Sequence, residues 1–106
     1  MQFFKTKTPS GIDRAVAQLS AVPGVMLIDV RTPEEYAAGH IPNSQNWPLQ
    51  KIATVDLLVA DKNVPVYLYC RTGRRSGLAA RTMQTAGYRQ VTNIGGIVDY
   101  TGALER

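Results

Sequence analysis

Two short apolar runs decide what this chain can fold into. Val25-Met26-Leu27-Ile28-Asp29-Val30 reads as a strand buried on both faces, because it lacks the alternation of a strand with one wet side. Pro65-Val66-Tyr67-Leu68-Tyr69 is a second strand candidate, ended by Cys70. Between and after them come helix signals. Ser10-Gly11-Ile12-Asp13 opens one helix, with Ile12, Ala15, Val16 and Leu19 on one face and either Ser10 or Asp13 as its cap. After the turn at Pro23-Gly24, Thr32-Pro33-Glu34-Glu35 has the form of a capping box with proline in the first turn, and that helix stops near Gly39. Pro48 opens a helix carrying Leu49, Ile52, Leu57 and Leu58. Another is expected from about Ser76 to Ala86, with Leu78, Ala79 and Met83 toward the core and Gly87 ending it. Extended segments are expected around Ser44 to Trp47 and Val91 to Ile94. Gly95-Gly96 reads as a turn, Ile97 to Leu104 as a last short helix, and Phe3-Phe4 as an additional edge strand. Strands alternating with helices predict an α/β layer fold with a mostly parallel sheet.

The chain has 106 residues, enough for one domain spanning 1–106, and its 44% apolar content can supply a core. There is no apolar run of about 18 residues to span a membrane. The opening Met1 to Lys7 lacks the apolar stretch of a secretion signal, which points to the cytoplasm; a mature chain whose leader had been removed would read the same and sit in the periplasm. The net charge of +4 is unevenly placed: six basic residues and no acidic one lie between Lys62 and Val98, against six basic and eight acidic elsewhere. A nucleic-acid surface is one reading of a basic half. The clustering of Arg71, Arg74 and Arg75 beside the only cysteine, amid turn residues, favours a pocket for a small anion over a nucleic-acid partner. One cysteine and one histidine exclude a disulfide framework and a credible zinc site.

Cys70 ends a buried strand and is followed by a turn and a helix start. In open parallel sheets, ligands sit at the carboxyl ends of strands. A loop curling from Cys70 through Arg71, Thr72, Gly73, Arg74, Arg75 and Ser76 would turn successive N–H groups inward, a nest that stabilises an anion together with the helix N-terminus. The reactive form of cysteine is the thiolate, and an ordinary thiol with pKa ~8.5 is mostly protonated at neutral pH. The helix terminus and the loop arginines are expected to lower that value and to hold an anionic donor against the nucleophile. Gly73 suits a backbone conformation or close approach that a side chain would hinder. Ser76 suits capping the helix or donating to an anion. The alternative is a small, inert, buried cysteine.

Several motifs in order resemble the rhodanese family, the thiosulfate sulfurtransferase homology domain. Leu27-Ile28-Asp29-Val30-Arg31 with Pro33-Glu34-Glu35-Tyr36 is similar to its first motif, and Gly39-His40-Ile41-Pro42 with Asn43, Asn46 and Pro48 to its second. Cys70 to Ser76 is similar to the active loop, and Gly87-Tyr88, Val91 and Gly95-Gly96 to the closing segment. The resemblance covers about residues 25 to 100. It implies a central, mostly parallel five-stranded sheet flanked by helices. It also implies Cys70 as sulfur acceptor, Arg75 closing the loop, and Arg71 and Arg74 as substrate contacts at its rim. Asp29, Arg31 and His40 become structural support, rather than His40 an acid or base. One departure is Asp99-Tyr100, where the family usually places an aromatic such as tryptophan after the paired glycines, so the docking there is expected to differ.

The implied activity passes sulfane sulfur from thiosulfate or a similar anionic donor, through a Cys70 persulfide, to cyanide, a thiol or a protein acceptor, without a cofactor. A persulfide carrier or regulatory module would share the loop. A cysteine-dependent phosphatase or arsenate reductase is the rival enzyme, disfavoured because Cys70 through Arg75 is six residues and those enzymes use a longer loop.

Overall fold

The structure, a computed structural model, describes residues 10–106. The strands are β1 (Met26–Asp29), β2 (Gln45–Asn46), β3 (Pro65–Cys70) and β4 (Gln90–Gly96), and the helices are α1 (Gly11–Ala17), α2 (Pro33–Ala38) and α3 (Arg74–Thr85). All neighbours in the sheet are parallel, in the order β2-β1-β3-β4. Among the described residues the sheet thus has four strands and not the five implied by the resemblance. The edge strand expected at Phe3-Phe4 lies outside them.

Apart from Asp29, the central strands carry apolar and aromatic side chains because both faces are covered. Ile28, Val30, Val66, Leu68 and Cys70 pack on one side with Ile52, Val55, Ala79, Met83 and Tyr88. Leu27 and Tyr69 meet Ile12, Ile41 and Ile94 on the other. Successive strand residues point to opposite faces, so this division follows from the pleat. It puts Cys70 on the α3 face.

Four local expectations need correction. Gly95 and Gly96 are not a turn: they extend β4 and pair with Tyr69 and Cys70. α3 begins at Arg74, directly from the loop, and not at Ser76. Leu78 does not face the core but is 48% exposed, while Ser76, Ala79, Ala80 and Met83 are buried. At about 100° per residue, Leu78 stands on the opposite side of the helix from that stripe. Last, only Ile97–Asp99 forms a 3-10 turn where a helix to Leu104 was expected. The chain beyond is drawn off by tertiary bonds: Thr101 N–H and Oγ1 pair with Asp13 at 2.9 and 3.0 Å, and the backbone of Glu105 pairs with that of His40. Those bonds also hold the Asp13 carboxyl below its usual range.

The first two helices follow their signals, and the segment after Pro48 only in part. Ser10, not Asp13, is the cap of α1, with Asp13 completing a capping box. Thr32 and Glu35 form the box that opens α2, with Gly39 after its end. The segment after Pro48 is 3-10 over Leu49–Leu57, broken at Thr54; Ile52 and Val55 are buried and Leu57 is exposed. Tyr100 packs, half-buried, against the Ile12 side of the core, in the neighbourhood where the motif departs from the family's usual pattern.

Candidate active site

Cys70 is the last residue of β3, and the three residues after it bend back toward its sulfur before α3 begins. Gly73 makes the bend. It sits at φ 98°, ψ −7° as the N-cap of α3, a left-handed conformation that glycine adopts without steric penalty. Its N–H donates to Cys70 Sγ at 3.0 Å, and Ser76 Oγ lies 3.4 Å from the same sulfur.

β4 forms the floor beneath the bend. Gly96 pairs with Cys70, and a Cβ built on it would overlap the carbonyl oxygen of Arg71 and the Cα of Thr72. The Arg71 carbonyl accepts from Val98 N–H at 3.2 Å, tying the loop to the following turn. The paired glycines let two backbones approach without side chains between them.

Burial alone would raise the Cys70 thiol. Hydrogen bonds from the Ser76 hydroxyl and from the N–H groups of Ser76, Gly73 and Thr72 more than offset it, and the thiol lies below its ordinary value. Cys70 is only 1% exposed, and its neighbours on the core side are apolar, yet the sulfur is ringed by donors. An anion is favoured there by partial positive charge from the amides and the start of α3.

The loop arginines separate into two kinds. Arg71 and Arg74 are exposed and form no ion pair among the described residues. Arg75 turns instead to α2, its Nη1 and Nη2 donating to Glu35 Oε1 and Oε2 at 2.7 and 2.9 Å. The Arg75 guanidinium, opposed by partial burial, holds the Glu35 carboxyl at about 2 against an ordinary 4.5. Glu35, read in the sequence only as a helix cap, therefore also locks α2 to the loop.

The supporting residues form separate contacts. Asp29 and Arg31 are buried together: Arg31 Nε and Nη2 donate to the Asp29 carboxylate at 2.8–3.1 Å, and Nη2 also donates to the Gly39 carbonyl at 2.7 Å. Asn46 Nδ2 donates to both of their carbonyls. His40 stacks on Tyr36 at 3.7 Å, donates from Nδ1 to the Tyr36 carbonyl at 2.9 Å, and has Nε2 3.9 Å from Glu105. Its ring nitrogens are thus engaged away from the sulfur. Sequence reasoning missed Asn93, whose side chain bonds to Gly73, Ser76 and Gly95. Its neighbour in the ladder is Leu68, and only the fold brings it to the loop.

Comparison with known proteins gives a consistent result. The Rhodanese-like domain family profile matches residues 13–103. "Thiosulfate sulfurtransferase PspE" of Escherichia coli is 41% identical over 73 residues, covering 68% of this chain and 70% of that protein. "Adenylyltransferase and sulfurtransferase uba4" of Ogataea parapolymorpha is 36% identical over 92 residues, which is 86% of this chain but only 24% of that much longer protein. Among solved structures, "rhodanese with anions from E. coli" superposes with a TM-score of 0.72 at 36% identity, covering 77% of this chain and 98% of that one. A rhodanese-like domain protein from Staphylococcus aureus superposes with a TM-score of 0.75 at 30% identity, covering 94% and 97%. With its parallel α/β sheet and the loop at the end of β3, this chain belongs to the rhodanese-like domain family.

Proposed function

We propose that the chain is a sulfurtransferase that carries sulfane sulfur on Cys70, with thiosulfate as a competent donor. The supporting observation is the convergence of the Gly73 N–H and the Ser76 hydroxyl on Sγ, with no acidic residue in the loop from Cys70 to Ser76. The Cys70 thiolate attacks the outer sulfur of thiosulfate; the sulfur–sulfur bond of the donor breaks, and its electron pair leaves with sulfite. The product, a persulfide anion, keeps one negative charge. Cyanide or a thiolate then takes the outer sulfur and returns Cys70 as thiolate. The cycle consumes no cofactor. Donors preorganised toward negative sulfur favour the thiolate, the charge spread in transfer and the persulfide alike. Arg71 and Arg74 at the exposed rim attract the dianionic donor, and Arg75, braced by Glu35, adds fixed positive charge.

Intact mass spectrometry tests this reading. After incubation with thiosulfate the protein should gain one sulfur, ~32 Da, and lose it on addition of cyanide. Cys70→Ser should show no gain. An unchanged wild-type mass, with sulfite not released, overturns thiosulfate transfer. A protein that is loaded only by a partner's persulfide is a carrier instead, and release of phosphate from an aryl phosphate would mark a phosphatase.

A further inference from the structure

The Asn93 side chain touches both Gly73 and Ser76, two of the residues that aim a donor at the sulfur. Its Nδ2 donates to the Gly73 carbonyl at 2.9 Å, while its Oδ1 accepts from Ser76 Oγ at 2.7 Å and from Gly95 N–H at 3.1 Å. The orientation of the amide is settled by these partners: a backbone N–H can only donate and a carbonyl can only accept. The ladder slips just after Asn93, so that Leu68 faces Asn93 but Tyr69 faces Gly95. Such a bulge re-aims a strand side chain, here toward the loop.

Ser76 has one hydroxyl proton and two neighbours for it, Asn93 Oδ1 at 2.7 Å and Cys70 Sγ at 3.4 Å. With a neutral thiol, the proton belongs to the nearer oxygen, and Ser76 Oγ accepts from the weak S–H donor. With an anionic sulfur, rotation of one hydroxyl delivers the proton to the charge, and Asn93 Oδ1 keeps the Gly95 N–H as partner. No buried polar atom is stranded in either state.

We infer that Asn93 is a positioning residue for the Cys70 sulfur: through Gly73 it aims a backbone N–H at Sγ, and through Ser76 it parks a hydroxyl proton that passes to the sulfur only when the sulfur is charged. The inference rests on reading Cys70 as the sulfur carrier. Removing Asn93 has two opposed effects. The Gly73 bend loosens, which disfavours the charged sulfur. The Ser76 hydroxyl loses its competing acceptor, which favours it.

The test is the pH profile of Cys70 alkylation by iodoacetamide in wild type, Asn93→Ala, Ser76→Ala and the double variant, with melting curves to establish folding. In the Ser76→Ala background, Asn93→Ala should raise the apparent thiol pKa by about one unit, a tenfold loss of reactivity below it. With Ser76 present, the same substitution should raise it by half that or less. A profile unmoved by Asn93→Ala in the folded Ser76→Ala protein overturns the positioning role, and equal shifts in the two backgrounds overturn the shared proton. If the alanine variant fails to fold, Asn93→Leu takes its place: it is close in size and adds no charge but loses the donor to Gly73, so the thiol pKa must rise in the Ser76→Ala background. Alkylation reads the thiol whatever its donor, so failure of thiosulfate transfer, read by mass, is separable from failure of this inference.

Discussion

Two polar clusters end neighbouring parallel strands on the same edge of the sheet, and they are built in opposite ways. At the end of β1, charge is closed on itself: Arg31 meets the carboxylate of Asp29 and the carbonyl of Gly39, all buried. At the end of β3, donors converge on a sulfur and no carboxylate answers them. A buried charge with a full set of partners is a brace. A ring of donors around one ionisable atom is a place where negative charge can appear and leave, which is what a nucleophile requires.

The largest effect is expected at the brace. Asp29→Ala leaves the Arg31 guanidinium buried without its carboxylate, and chemical denaturation should show a loss of about 3–5 kcal/mol, while the alkylation profile of Cys70 in the folded protein stays put. A loss confined to the surface range would break the contrast. Gly96→Ala reverses the pattern. The overlap with Arg71 and Thr72 must be relieved by moving the loop, with about 1–3 kcal/mol of destabilisation; the thiol should become less acidic, and single-turnover sulfite release should fall steeply. An unaltered thiol profile would separate the floor from the chemistry. The smallest effect belongs to the link between the clusters, Glu35→Gln. This pair is about a third exposed, so its loss at neutral pH is worth about 1 kcal/mol or less. Because the folded carboxyl is depressed to about 2 from 4.5, its contribution is present above 4.5 and disappears as pH falls toward 2. Denaturation across that window should be less pH-dependent in the glutamine variant than in wild type.

How far the residues foretold this arrangement depended on the range of the interactions. The buried strand Met26–Asp29, the box at Thr32 and Glu35, and the bend after Cys70 are encoded within a few neighbouring residues, and each stands where its pattern places it. At Leu78 hydrophobicity and helical phase point in opposite directions and phase prevails; Ser76, Ala79, Ala80 and Met83 define the inward stripe. Gly95 and Gly96 suggest a turn to any local reading, and only the adjacent loop reveals why a strand carries them. The same holds for the segment after Asp99, where Asp13 and His40 claim the backbone that a helix would have used. The bonds of Asn93 to the loop and the second role of Glu35 have no local signature, since the partners lie 17 to 40 residues away.

The absence of clearance above Gly96 divides the site into a portion that must stay and a portion free to vary. The seat of the sulfur is moulded from main chain pressed against main chain, so altering it means moving two strands. The side chains of Arg71, Thr72 and Arg74 are exposed and carry no part of that mould. Changing those three surface positions therefore leaves the Cys70 sulfur and its amide lining as they are.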